Sequence, residues 1–395
     1  MKRILLITPM LHQGGFERIC VMTARLMQKD YEVFIAVFSM DDIAYDISGL
    51  KVIDLNLESR KGKVRKIINV FRRCLKLSRL QRKLNIDVSY SFGTTANIAN
   101  ALSFGSKKKI SACHSFEEIK ETVYMKLICR CSDKVLCCSK KMTDLARESY
   151  GFENIQALWN PCDIGDIHEQ SRLAPNEDIS FFHSSDKVLV SMGREDDVKG
   201  FWHLLKIFRK IVEKEKETRL VIIGDGDFEE YHKLAEELAI CDKVLFTGLK
   251  KNPFPYLRES YLYLLTSLSE GLPNALVEAL ALSLPIVSAN CLSGPAEILS
   301  ENWKETELKR EIVLADFGIL TPPLGEKKDL KVMWANEEKT DILLDESEDR
   351  FAEAVLKLLH DREMYERYQR NASGRAEDFS KEAYLRELTA CIDSL

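Results

Sequence analysis

Two carboxylates, Glu270 and Glu278, stand with seven residues between them in the stretch LLTSLSEGLPNALVEALALSLPIVSANCLSGPAEIL, Leu264 to Leu299. The apolar run ending at Leu265 suits a buried strand and Thr266 to Leu272 a loop. Pro273 suits the first position of a helix, where a missing N–H costs nothing. A helix opening there directs unpaired N–H groups and the positive end of its dipole at an anion, which Gly271 lets approach closely. Gly271, Leu272, Pro273 and Asn274 are therefore candidate anion-binding positions. Carboxylates repel phosphate and, when ionised, only accept hydrogen bonds, so Glu270 and Glu278 suit hydroxyl groups such as a ribose diol or a sugar ring. Phosphate and hydroxyls together point to a nucleotide sugar. A complementary pair lies upstream in Gly193-Arg194-Glu195-Asp196-Asp197-Val198-Lys199-Gly200. Arg194 offers a planar fork and Lys199 a mobile ammonium, and two cations at one edge neutralise a diphosphate.

These side chains need rigid elements to hold them. The chain has 395 residues, 45% apolar and 30% charged, enough for two domains of ordinary composition. Apolar runs begin at Arg3, Val33, Val52, Val88, Lys109, Val135 and Ile155, with helix-like stretches between them, and the pattern resumes at Val188, Leu220 and Lys243. Such alternation predicts an α/β architecture of parallel sheets covered by helices, Rossmann-like in both halves. The polar segment from Asp163 to Asp186 reads as a linker, 303–345 as an irregular insertion, and 347–395 as helical. After the first strand, His12-Gln13-Gly14-Gly15-Phe16-Glu17-Arg18 reads as a glycine turn opening a helix, a common place for ligand phosphates in open α/β sheets. His114 follows the strand KKKISA at the corresponding sheet edge.

The Glu-x7-Glu stretch with the following Ser293-Gly294-Pro295-Ala296-Glu297-Ile298-Leu299 resembles the signature of family 4 of the retaining glycosyltransferases, many of them bacterial enzymes of polysaccharide or glycolipid assembly. Gly193 to Gly200 resembles that family's Gly-Arg-x(4)-Lys-Gly motif with its spacing intact. The Gly14-Gly15 loop resembles its Gly-Gly-x-Glu-Arg loop, and Asn160-Pro161-Cys162-Asp163 its Asn-Pro-x-Asp segment. The resemblance implies the GT-B fold: two Rossmann-like domains facing a central cleft, here 1–165 on the acceptor side, with helix 380–395 packing back on it, and 183–379 binding the nucleotide sugar. It implies retention of anomeric configuration, with front-face attack and the leaving phosphate as base. By the same likeness Arg194 and Lys199 serve the leaving diphosphate, Glu278 the ribose, and Glu270 and His114 the donor sugar. Gly14, Gly15, Gly193, Gly224 and Leu249 line the donor. Asp225-x-Asp227 matches a metal-binding DxD literally, but the nearby cations make a metal redundant, so neither a metal nor another cofactor is expected beyond a UDP-sugar donor. A nucleotide-sugar epimerase of the same fold and a non-catalytic nucleotide-sugar binder remain as alternatives.

The formal charge of −5 divides unevenly: residues 1–175 hold 28 Lys and Arg against 19 Asp and Glu, a balance of +9 that leaves −14 for the rest. Ser59 to Asn85 holds eleven Lys and Arg and no acid, with Ile67, Ile68, Val70, Phe71, Leu75, Leu77, Leu80 and Leu84 at near-helical spacing. The apolar positions are expected to cover the sheet. The basic face is expected to be drawn to an anionic membrane surface at ~1 kcal/mol per well-placed charge. No nucleic-acid motif accompanies it. A polyprenyl-diphosphate-linked glycan is the acceptor such a location suggests. No segment approaches the ~18–20 uninterrupted apolar residues that span a bilayer, and MKRILLITPM is too brief for a secretory leader, so a cytoplasmic location, peripheral on the inner membrane face, is expected. The eleven cysteines, odd in number and scattered, fit a reducing compartment; Cys129, Cys131, Cys137 and Cys138 lack paired CxxC spacing and read as small packing residues.

Overall fold

The computed structural model describes residues 1–57, 63–174, 181 and 187–395, with the backbone alone for 63–67. It divides into two compact units, Met1–Pro161 with Lys381–Leu395, and Cys162–Ser380.

The first unit is built on strands β1 (Arg3–Thr8), β2 (Glu32–Val37), β3 (Lys51–Asp54), β4 (Val88–Phe92), β5 (Lys108–Cys113), β6 (Lys134–Cys137) and β7 (Ile155–Ala157). They pair in the order β3-β2-β1-β4-β5-β6-β7, all parallel. Continuous apolar runs such as Ile4–Ile7, all fully buried, form these strands because helices cover both faces. The helix Gly15–Met27 buries Ile19, Cys20, Ala24 and Met27. Beside it lies the terminal helix Lys381–Asp393, which adds Tyr384, Leu388, Cys391 and Ile392 to the same core. The Tyr384 and Thr23 hydroxyls meet at 2.8 Å.

The basic stretch forms a helix over Lys63–Lys83; 59–62 of the expected span lie outside the described residues. Cys74 and Leu77 are buried in the core beneath it, with Val70, Leu80 and Leu84 packed alongside. The expected single apolar face is corrected here. Ile68, Phe71 and Leu75 are 51%, 67% and 58% exposed, because a helix period that turns residues 70, 74, 77 and 84 inward turns these three outward.

The second unit holds β8 (Lys187–Met192), β9 (Thr218–Ile223), β10 (Val244–Phe246), β11 (Leu262–Leu265), β12 (Ile286–Ala289), β13 (Val313–Leu314) and β14 (Ile319–Thr321). Their order is β10-β9-β8-β11-β12-β14-β13, parallel except for the antiparallel β13–β14 pair. Part of the segment read as linker is instead a helix, Ile164–Ser171, capped by the Asp163 side chain and anchored by the fully buried Ile167. It belongs to this unit: the Asn252 side-chain amide donates to the Gln170 carbonyl at 2.9 Å. A polar composition concealed an amphipathic helix of two turns. Residues 175–180 and 182–186 of that segment lie outside the described residues. The irregular 303–345 stretch is also tied into the unit. Leu324 and Ile342 join its core, and Lys210 pairs with Asp341.

Candidate functional site

In both sheets the chain starts at a central strand, builds to one side, then crosses to the other. The first loops on either side of the reversal diverge and leave a crevice at the carboxyl edge. In the second unit these are the loops after β8 and β11, which carry Gly193–Lys199 and Thr266–Pro273.

Several contacts lock the two loops together. Gly200 is left-handed (φ 61°), and a β-carbon there would overlap the Thr266 carbonyl. The Thr266 hydroxyl donates to the Lys199 carbonyl at 3.0 Å, and the Leu268 N–H to the Val198 carbonyl at 2.8 Å. The outcome is an ion pair: Lys199 Nζ lies 2.6 Å from Glu270 Oε1, with the side chains 26% and 12% exposed. Arg194 is exposed on the same loop and has no ion-pair partner among the described residues. Gly193 and Gly224 abut so closely that a β-carbon at Gly224 would overlap the Gly193 carbonyl. The Gly224 N–H donates to the Gly248 carbonyl at 3.2 Å, which brings the turn carrying the half-exposed Leu249 to the same edge.

The helix after β11 runs over Asn274–Ala281, one residue later than the sequence suggested, with Pro273 as its extended N-cap (ψ 97°). Its entry is braced from behind. Ser293 Oγ donates to the Gly271 carbonyl at 2.8 Å, and Gly294 (φ 95°) leaves room for Pro273. Gly271, Leu272 and Pro273 are buried and Asn274 partly so, while Glu278 sits one turn into the helix at 5% exposure. Ten of the residues singled out from sequence thus share one sheet edge: Gly193, Arg194, Lys199, Gly224, Leu249, Glu270, Gly271, Leu272, Pro273 and Asn274. Glu278 stands just inside it.

The remaining three belong to the first unit. Gly14 caps the helix Gly15–Met27, and its N–H and carbonyl both bond the Tyr45 hydroxyl, at 2.9 and 2.7 Å, so its N–H is already committed. At Gly15 a side chain would meet open space. Phe16 links this loop to His114: its ring lies over Gly93 and 6.5 Å from the imidazole, which also faces Phe92 at 5.9 Å. Both His114 ring nitrogens are buried. That burial pulls its pKa down to about 4, a hydrogen bond to the Asn160 side chain opposing the shift, so the ring is neutral near pH 7.

Sequence reasoning passed over Glu118 and Cys291. The Glu118 carboxylate shapes the His114 turn, accepting from the His114 N–H at 2.8 Å, the Ser115 N–H at 3.2 Å and the Thr94 and Tyr124 hydroxyls at 3.1 and 3.2 Å. Its signal was available in Ser115-x-x-Glu118, a capping box opening the helix Phe116–Lys120. Cys291 is a buried thiol whose pKa rises through burial and then through the Glu270 charge. Its spacing gave no sign of that neighbour.

Of the DxD-like pair, the Asp227 side chain bonds within its own turn and Asp225 meets the neighbouring loop through its backbone. Asp227 Oδ1 accepts the Glu229 N–H at 3.0 Å, and the Asp225 carbonyl accepts the Glu195 N–H at 2.7 Å. His203, Asp345 and Glu348 are grouped closely enough to hold a metal. There His203 Nδ1 already meets Glu348 at 2.6 Å and Nε2 the Gly325 carbonyl at 2.9 Å, which makes the cluster a tie between helix ends.

Residues 175–306 match the family described as glycosyl transferases group 1. An uncharacterized glycosyltransferase of Methanocaldococcus jannaschii is 32% identical over 207 residues, 52% of this chain and 49% of the relative, so the chain matches about half of that protein's length. The N-acetylgalactosamine-N,N'-diacetylbacillosaminyl-diphospho-undecaprenol 4-alpha-N-acetylgalactosaminyltransferase of Campylobacter jejuni is 26% identical over 309 residues, 74% of this chain and 82% of the relative. A solved Anabaena structure in complex with UDP-glucose superposes with a TM-score of 0.74 at 16% identity, covering 100% of both chains. At that identity the likeness is one of fold, and the fold is GT-B.

Proposed function

We propose that this chain, whose residues 175–306 match the glycosyl transferases group 1 family, moves a sugar from a uridine diphosphate donor to a hydroxyl of a glycan acceptor, with retention at the anomeric carbon. The observation that carries this reading is the Lys199–Glu270 pair at 2.6 Å, held across the reversal point of the second sheet beside the Asn274–Ala281 helix entry. One edge there presents cations and a helix dipole for a diphosphate, together with carboxylates for hydroxyls.

Breaking the anomeric bond puts negative charge on the departing diphosphate. Arg194, Lys199 and the helix entry stabilise it, and preorganised charges and dipoles of this kind commonly supply most of an enzyme's rate enhancement. Lys199 has three donors, so it can keep Glu270 and still reach phosphate oxygens. Glu270 orients the donor sugar and Glu278 holds the ribose hydroxyls. His114, being neutral, offers a hydrogen bond without adding charge. The attacking hydroxyl approaches from the face the diphosphate leaves, and a phosphate oxygen takes its proton.

The acceptor in this reading is a polyprenyl-diphosphate-linked glycan at the inner membrane face, in cell-surface polysaccharide assembly. Its support is the basic first half of the chain and the carrier in the Campylobacter relative's name. The test is incubation with uridine, guanosine and adenosine diphosphate sugars, with and without chelator, following nucleotide release and glycolipid product. Uridine-specific release that survives chelation and rises with a lipid-linked acceptor is the expected result. Interconversion of the donor without acceptor would instead identify an epimerase.

A further inference from the structure

We infer that the outward side of the Lys63–Lys83 helix is a lipid-inserting surface, in which Ile68, Phe71 and Leu75 enter an anionic leaflet and the surrounding cations grip its headgroups. Ile68, Phe71 and Leu75 follow one another at three- and four-residue steps, and Arg79 and Arg82 continue the same line, so all five share one side of the helix. That side faces away from the protein. Cys74 and Leu77 pack inward, while Phe71 at 67%, Leu75 at 58% and Ile68 at 51% are among the most exposed large apolar side chains described. Apolar residues scattered singly over a surface are ordinary; three in register on one helix are a patch.

Charge decides the occupant. The stretch from Ser59 to Asn85 has eleven Lys and Arg and no acid, and Arg72, Arg79, Arg82 and Lys83 have no ion-pair partner among the described residues. The patch extends onto the loop before β5, where Arg82 Nε donates to the Phe104 carbonyl at 3.0 Å and Phe104, 71% exposed, adds one more apolar group. A neutral protein partner would match the apolar groups but leave the cations unanswered. An anionic leaflet satisfies both at once, drawing cations to its surface and accepting apolar side chains into the acyl boundary. Lys76 marks the lateral limit: its ammonium turns back to the Leu55 carbonyl at 2.7 Å.

The inference rests on the membrane-face reading proposed above, and flotation on vesicles separates the two. Wild type is expected to float with equal parts phosphatidylcholine and phosphatidylglycerol and to remain below with phosphatidylcholine alone. Phe71→Ser with Leu75→Ser should weaken partitioning by about a hundredfold, roughly tenfold for each side chain returned to water. Arg72→Gln with Arg79→Gln should weaken binding and lessen its dependence on salt. In a Phe71→Trp variant, emission should shift to the blue on anionic vesicles only. Both double variants should keep wild-type turnover on a water-soluble acceptor, since none of these residues serves the donor. If wild type floats and both double variants float equally well, this surface is refuted while the membrane-face reading stands. If wild type fails to float on anionic vesicles, both fall. If wild type dimerises in solution and Phe71→Ser with Leu75→Ser abolishes dimerisation without affecting flotation, the face is a contact between copies and the inference is overturned.

Discussion

Replacing Lys199 by Met removes an ammonium while keeping most of the side chain's length. The ammonium stands 2.6 Å from a carboxylate only 12% exposed. Opposite charges attract by about 4 kcal/mol at 4 Å in an effective dielectric of ~20, and partial solvent access lowers that figure. Two consequences follow from the loss. Glu270 is left without its counter-charge, and the departing diphosphate loses one positive group. The second effect should cost ~3 kcal/mol of transition-state stabilisation, about a hundredfold in turnover. A cycle with Glu270→Gln separates the effects. If Lys199 served only to neutralise Glu270, adding Lys199→Met to Glu270→Gln would cost nothing beyond Glu270→Gln alone. If it serves the diphosphate, the double variant is slower than Glu270→Gln alone. The assay is UDP release at saturating donor, accompanied by calorimetric UDP affinity and a melting temperature to confirm folding. A double variant within ~tenfold of Glu270→Gln turnover, a further loss below about 1.4 kcal/mol, would refute the leaving-group role.

Gly224→Ala should lower unfolding stability by at least 1–3 kcal/mol in urea titrations, because its β-carbon meets the Gly193 backbone, which lacks a side chain that could turn aside. His114 is held down at about 4 from an ordinary 6.5, so the unfolded chain binds the proton more readily. Its contribution to stability is therefore complete above pH ~6.5 and shrinks as pH falls toward ~4; urea midpoints taken across that window should decline, and less steeply in His114→Gln. Glu348→Ala leaves a buried imidazole nitrogen without its carboxylate partner and should cost ~1–3 kcal/mol by the same titrations, since both side chains are 5% exposed.

Much of the second unit was legible because its site is local chemistry repeated at strand ends. Gly193 to Gly200 and Glu270 to Asn274 each announce a strand, a glycine-bearing loop and a helix, and each lies where that grammar puts it. What could not be read was pairing across long separations. Nothing at Lys199 names Glu270 as its partner, and nothing at Gly224 states that the Gly193 carbonyl lies against it. Periodicity also misled where two faces of one helix are both apolar. Ile68, Phe71 and Leu75 match the spacing of a core stripe as well as the buried positions do, and only the neighbouring sheet decides which set is covered. Ile164–Ser171 was hidden for the opposite reason: its inward side is so narrow that composition reports only the polar majority.

The terminal helix bears on how the protein is made. Thr23 meets Tyr384 across 361 positions of chain, and Leu388 and Ile392 complete the core around Ile19 and Ala24. Synthesis therefore delivers the last piece of the N-terminal Rossmann core only after the whole of Cys162–Ser380 has emerged. The unit begun before Cys162–Ser380 is finished after it, and until then its apolar flank stays uncovered, open to chaperones.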